Sequence, residues 1–390
     1  MIFDPVSLTF ADPTQLWLEV SETDRNQAWQ QSQFSRTNCR WNAYLNQLCL
    51  STFLDWLRAE HAPEATPWPN APTLPSIWEV VNGTAITLGT TRLVLIPTET
   101  IDLSELRVPQ EWVDIPGWVA DYYLAVRVNP DEGFVQIWGY TTHLQLKTSG
   151  SYDSKDRTYC LDEDELIQDL SVLWVARQLC PEERTRSAVA PLPALPLAQA
   201  ETLIARLGNS DVIMPRLAVP FDLWGALLEH GGWRQRLYNR RLGLAEPWSI
   251  LQWLQTGVSE VAQQIGWSGV EFQPSLAIAR TADQIPSTVI LSRQIVIAGQ
   301  QYELRVIPRG NPEQRTWRFE LRNTSMGARI PSGFKLRLLT EDLQDFENNE
   351  DVATTAVDHL FVEVALEPDE GLVWEIEPMP ENYDQEILRF

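Results

Sequence analysis

Apolar and polar residues alternate on both sides of a Pro-Asp-Glu-Gly turn over residues 121–147, DYYLAVRVNPDEGFVQIWGYTTHLQLK. Leu124, Val126 and Val128 alternate with Tyr123, Ala125 and Arg127 before the turn; Val135 and Ile137 alternate with Phe134, Gln136 and Trp138 after it. A period of two is that of a strand with one face buried. Pro130 presets φ for the turn corner and Gly133 accepts a left-handed φ, so the stretch predicts a β-hairpin. The same device at 367–371, EPDEG, between VEVAL and LVWEI, predicts a second.

Before the first hairpin, DPTQLWLEV predicts a strand and ETDRNQAWQQSQ a short polar helix. Residues 1–35 also hold short apolar pieces around Leu8 and Phe10. From Asn38, a fitting N-cap, Trp41, Tyr44, Leu45, Leu48, Thr52 and Trp56 recur at helical spacing up to His61, before Pro63. Residues 77–81, 84–88 and 91–96 read as strands separated by Asn82-Gly83 and Gly89. Residues 104–118, SELRVPQEWVDIPGW, form a loop or edge strand. The stretch 161–179 predicts a helix: Asp162 as N-cap, Glu165 three residues on, and Leu161 and Leu166 bracketing them.

Residues 187–196, SAVAPLPALP, mark the expected domain boundary. Helical periodicity follows at 198–207, 221–230 and 247–265, the last opening on Pro247. From Ser287 the pattern is continuously β, with a turn at 308–312 and an acidic connection, FENNEDVATTA. Six or seven short strands over about a hundred residues suggest an immunoglobulin-like sandwich. The expected fold class is α+β: an N-terminal sheet or partial barrel with packed helices at 1–186, a helical linker domain at 187–285, and a β-sandwich at 286–390.

Composition narrows function. The formal net charge is −23, a field that repels nucleic-acid backbones and attracts a basic protein partner, or else simply keeps the surface soluble. Cys39, Cys49, Cys160 and Cys180 make no C-x-x-C pair, which fits a reducing cytoplasm and suggests no zinc ribbon. The first residues lack the pattern of a signal peptide, and no apolar run is long enough to span a membrane. Tryptophan is abundant, at 17 residues. Trp41, Trp56, Trp138, Trp174, Trp253, Trp317 and Trp374 fall on apolar faces, which favours core roles over sugar platforms.

No phosphate-binding glycine loop, nucleophile elbow or H-E-x-x-H occurs. The sharpest enzymatic candidate is Cys160 as nucleophile with His143 as base; the plainer alternative is a structural histidine. The acidic run 162–165 reads as a helix start, and 347–351 lacks the spacing of a calcium loop. Neither a cofactor nor a metal is expected. Arg234, Arg236, Arg240 and Arg241, with Arg216 nearby, run against the acidic field. They dock an acidic surface, of this chain or of a partner, or else form a solvated helix end.

The stretches RWNAYLNQLCL, LRVPQEWVDIPGWVADYYLAVRVNPDEG, IWGYTTHLQLK, YDSKDRTYCLDEDELIQDLSVLWVARQLC, PWSILQWLQTGVSEVAQQIGW and the last 57 residues resemble a cyanobacterial family of uncharacterised soluble proteins, over nearly the whole chain. The resemblance brings no functional residues. Its association with gene neighbourhoods of sigma factors and of caspase-like and sensor-kinase-like proteins implies a regulatory or adaptor role. The expectation is therefore a non-enzymatic cytoplasmic interaction protein with a basic protein partner, without nucleic-acid or membrane binding. The alternative is a carbohydrate-binding protein or a hydrolase using exposed Trp and acidic residues.

Overall fold

Tyr122–Asn129 and Phe134–Thr142 pair antiparallel, as their alternation predicts, and Gly133 takes φ +74° at the end of the turn. The computed structural model describes residues 14–36, 39–244, 248–272, 288–309 and 315–390, apart from the side chains of Phe34, Phe272 and Thr288. Expectations at residues 1–13, Asn38, Pro247 and 310–312 lie outside this set.

The strands of the first part are β1 (Leu16–Glu19), β2 (Thr66–Trp68), β3 (Thr84–Leu88), β4 (Thr91–Thr98), β5 (Glu105–Pro109), β6 (Tyr122–Asn129), β7 (Phe134–Thr142), β8 (Ser151–Asp153) and β9 (Thr158–Asp162). Six form one sheet in the order β1-β7-β6-β4-β3-β2, and β5-β9-β8 form a smaller one. Within the larger sheet β4 and β6 are parallel, and the other pairs are antiparallel. Both hairpin strands are buried almost throughout. One cause is the long apolar helix α2 (Arg40–Glu60), which follows α1 (Glu22–Gln31) and packs on β1, β3, β4, β6 and β7. The register slips between Ala125 and Val126: Ala125 faces Gly139 and Val126 faces Ile137, so Trp138 is the extra residue of a β-bulge.

Three local expectations change. Residues 77–81 are not a strand, because Pro75 sits in the first turn of a short helix, α3 (Leu74–Trp78). Asp162 makes no capping bond; Glu163–Glu165 is a single 3-10 turn. Ile167 then pairs with Tyr140 through two backbone hydrogen bonds, which holds the chain extended. Helix α6 (Leu170–Leu179), after α4 (Gln110–Asp114) and α5 (His143–Thr148), starts only where Asp169 accepts from the Ser171 amide.

The chain divides into two compact units, Met1–Leu244 and Ala245–Phe390, where the sequence suggests three segments. Helices α7 (Leu197–Leu207), α8 (Phe221–Glu229) and α9 (Gly231–Leu242) belong to the first unit. Their attachment is ionic as well as apolar. Arg241 and Glu79, both fully buried, meet at 3.0 Å. Arg216 grips Glu111 through Nε and Nη2 at 3.0 and 2.7 Å, and the Trp224 indole N–H donates to the same carboxylate.

The second unit begins with α10 (Ile250–Thr256) and α11 (Glu260–Gln264), two helices instead of one because Gly257 takes φ +95° between them. Its strands are β10 (Trp267–Phe272), β11 (Thr288–Ile297), β12 (Gln300–Arg309), β13 (Thr316–Asn323), β14 (Lys335–Thr340), β15 (Glu350–Val352), β16 (His359–Ala365), β17 (Gly371–Glu377) and β18 (Ile387–Arg389). They form two antiparallel sheets, β10-β11-β12-β13-β16 and β15-β14-β17-β18. Both sheets bury side chains in one apolar core, among them Leu304 and Phe319 from the first and Leu336 and Trp374 from the second. The EPDEG turn is therefore not a second hairpin. It carries the chain from β16 in one sheet to β17 in the other, and Asp369, not a glycine, takes the left-handed φ of +63°.

Candidate functional site

Helix α1 is polar almost all round, with Ala28 as its only buried residue, yet it carries a tryptophan. Ser21 and Asp24 start it with a reciprocal capping box. Arg25 ties it to the first hairpin turn through a bond from Nη1 to the Pro130 carbonyl, 2.6 Å. Trp41 and Tyr44 lie three residues apart on the first turns of α2, hence on one face. Together α1, the start of α2 and the turn enclose an open cavity of about 340 Å3.

Three aromatic rings line it. Trp29 lies 6.2 Å from Trp41 and 5.4 Å from Tyr44, and Trp41 lies 5.1 Å from Tyr44, all edge-on or tilted. Trp29 and Trp41 are 41% and 45% exposed, far from the core role predicted for Trp41. Glu22, Asn26 and Asp131 supply the polar walls, and Glu99 accepts from the Trp41 indole N–H. The Arg40 guanidinium already sits 3.7 Å from the Trp29 ring centre, a cation–π contact. Burial pushes the Tyr44 hydroxyl up from its ordinary pKa, with Asp131 and Glu99 adding to the effect against Arg25, so it stays a proton donor at neutral pH. Apolar faces, hydroxyl donor and carboxylates suit the grip of a cationic or sugar-like group.

The family model described as a protein of unknown function, DUF1822, matches residues 18–389. The chain belongs to the DUF1822 family. No curated protein and no solved structure matches it. Among the described residues of this DUF1822 chain, no helix is long and apolar enough to cross a membrane, and no group of three or more His, Cys, Asp or Glu could hold a metal ion.

The residues singled out in the sequence take other places. His143 is fully buried; Nε2 bonds to the Val113 carbonyl and Nδ1 accepts from the Ser187 amide, both at 3.0 Å. Both ring nitrogens are thus committed to backbone groups, which fixes the neutral tautomer and leaves no lone pair for a thiol proton. Burial lowers its pKa and raises that of Cys160, whose Sγ lies 3.7 Å from the Thr158 hydroxyl. Among the arginines, Arg234 and Arg241 are buried, so they are not a surface patch. Arg234 donates to the Ser76 hydroxyl and the Leu228 carbonyl; Arg241 donates to Glu79, Leu207 and Val212. Arg241 thus meets an acidic group of its own unit, Glu79. Arg236 is half-buried and Arg240 exposed. In the 347–351 run, the Asn349 amide bonds the Leu338 carbonyl and Asp351 accepts from the Phe361 amide.

The aromatic pocket escaped sequence reading because its two neighbouring helices are closed by a turn about a hundred residues further along the chain. One signal was available: Trp29 stands in ETDRNQAWQQ, a helix with no apolar stripe to absorb it.

Proposed function

We propose that this DUF1822 protein is a non-enzymatic cytoplasmic adaptor of cyanobacteria, linked to signalling or transcription. It takes a basic segment of a partner protein, seating a lysine or arginine side chain among Trp29, Trp41 and Tyr44. The observation that carries the proposal is the guanidinium of Arg40 against Trp29, at 3.7 Å. A ring in this cluster already accepts a cation, and Glu22 and Asp131 stand ready to balance a second one. The charge of −23 supports the same choice, since it draws a basic partner in and makes the encounter salt-sensitive. The second unit, with two antiparallel sheets on one core, serves in this proposal as an immunoglobulin-like sandwich module.

Tryptophan fluorescence titrated with arginine-rich, lysine-rich and glutamate-rich peptides tests the proposal, with Trp29→Ala and Trp41→Ala as variants. The basic peptides should bind and weaken with added salt. Each variant should lose about 0.5–2 kcal/mol, roughly twofold to thirtyfold in affinity. Equal binding of all three peptides, or basic-peptide binding untouched by both variants, would sink it. Sugar binding lost in those variants would favour a carbohydrate site at the same rings.

A further inference from the structure

Helix α6 is apolar on two opposite faces. Leu170, Leu173 and Trp174 are buried on one of them. Trp174 stacks on His61 at 4.3 Å and lies 6.2 Å from Trp56, which fixes the helix to the end of α2. On the other face Val172, Val175 and Leu179 remain 44%, 51% and 75% exposed. Steps of three and four residues place these side chains in one line. Local propensity does not explain them, because a branched side chain such as valine is a poorer helix former than the residues usual at exposed positions. A helix apolar all round has both faces covered, and an exposed apolar patch with a polar rim marks an interaction site.

Charge selects the occupant. Asp162, Glu163, Asp164 and Glu165 precede the helix and Glu182 and Glu183 follow it, all six exposed. Among the arginines of this stretch, Arg177 leans toward the Trp174 ring, 5.8 Å from its centre, and Arg186 pairs with Asp121 at 2.6 Å. Arg184 is the exposed one. A second copy of the chain is disfavoured as occupant. Paired antiparallel, the leading carboxylates of one α6 meet the trailing ones of the other; paired parallel, like ends meet. The same charges repel an anionic membrane surface. An apolar helix with lysine or arginine at both ends satisfies stripe and rim together. We infer that α6 docks an amphipathic helix of a basic protein partner, its apolar residues on Val172, Val175 and Leu179 and its terminal cations facing the two acidic ends. The face lies apart from the aromatic pocket, so neither depends on the other. His61 caps the last turn of α2, about 30 Å along the helix axis from Trp41 in the first.

Two synthetic helical peptides test the inference, alike in a leucine stripe at helical spacing but ended by lysines in one and by glutamates in the other. Fluorescence anisotropy with the full chain should show saturable binding of the lysine-ended peptide. It should bind about tenfold or more tighter than the glutamate-ended one and weaken in high salt. Val175→Ser combined with Leu179→Ser should cost about tenfold in affinity. Both side chains are exposed, so the melting temperature should not change. Glu182→Lys combined with Glu183→Lys should narrow the gap between the peptides, whereas Trp29→Ala and Trp41→Ala should leave it as it is. No saturable binding, no preference for lysine ends, or binding unaltered by both double variants overturns the inference. So does binding lost in Trp29→Ala and Trp41→Ala but kept in Val175→Ser with Leu179→Ser. Three other effects of that last pair also overturn it. Dissociation of a dimer in sedimentation assigns the face to a second copy, loss of adsorption to phosphatidylglycerol vesicles assigns it to a membrane, and a lowered melting temperature assigns it to this chain itself.

Discussion

At the scale of single residues, a few of the chain's charges are used inward. Arg241 and Glu79 are 162 positions apart and both fully buried, so neither has water to fall back on. Glu79→Gln should therefore cost about 3–5 kcal/mol in urea unfolding, whereas replacing both partners by methionine should cost far less. A sequence displays such an arginine as a charge but not its partner, which is why the 234–241 group resembles a docking patch. His143 gives a second expectation. Its pKa is lowered by burial, so the fold holds it neutral. The stability it contributes is whole above its ordinary value of about 6.5 and is lost as pH falls toward the lower folded value. Melting temperatures between pH 7.5 and 5 should fall, and the slope should be shallower in His143→Gln, which can keep a donor for Val113. Asp121 acts at lower pH. Burial alone would raise its pKa, but Arg186, the Arg92 amide and Thr185 pull it below the ordinary carboxylate value, so its contribution is lost only as pH falls further.

At the scale of elements, the sequence pattern was legible where local and tertiary preferences agree. The β6–β7 hairpin has alternation, a proline corner and a glycine that takes a left-handed φ, and it forms in the predicted place. Gly133→Ala should cost about 1 kcal/mol or more, because an alanine Cβ there meets φ +74° and lies 3.1 Å from the Val20 carbonyl. The capping box at Asp162 was misleading for a tertiary reason: the Ile167–Tyr140 bridge needs an extended backbone just where the helix would run. Asp169→Ala should then cost about 1 kcal/mol by loss of the real cap, while Asp162→Ala should leave stability within about 0.5 kcal/mol. Chemical denaturation of the two variants side by side checks this. Trp29 and Trp41 were hidden in another way. Periodicity ranks a tryptophan by its own helix, but their exposure depends on how α1 leans on a turn a hundred residues further on.

At the scale of the whole molecule, α+β class and the run of C-terminal strands were readable from periodicity, whereas the first boundary was not. The proline-rich stretch at 187–196 looks like a linker, yet the helices beyond it complete the charges of Glu79 and Glu111. A fragment of residues 1–244 should unfold cooperatively, and one of residues 1–186 should not, since it leaves both carboxylates buried without their arginines. Circular dichroism melts of the two fragments decide between the boundaries. The edge position of β1 carries a temporal cost. Leu16 lies opposite Ile137, 121 positions later in the chain (137 − 16). At 5–20 residues per second, a ribosome needs roughly 6–24 s to deliver that neighbour after Leu16 has been made. Through that interval the nascent chain carries LWLE without the neighbour that completes its hydrogen bonding.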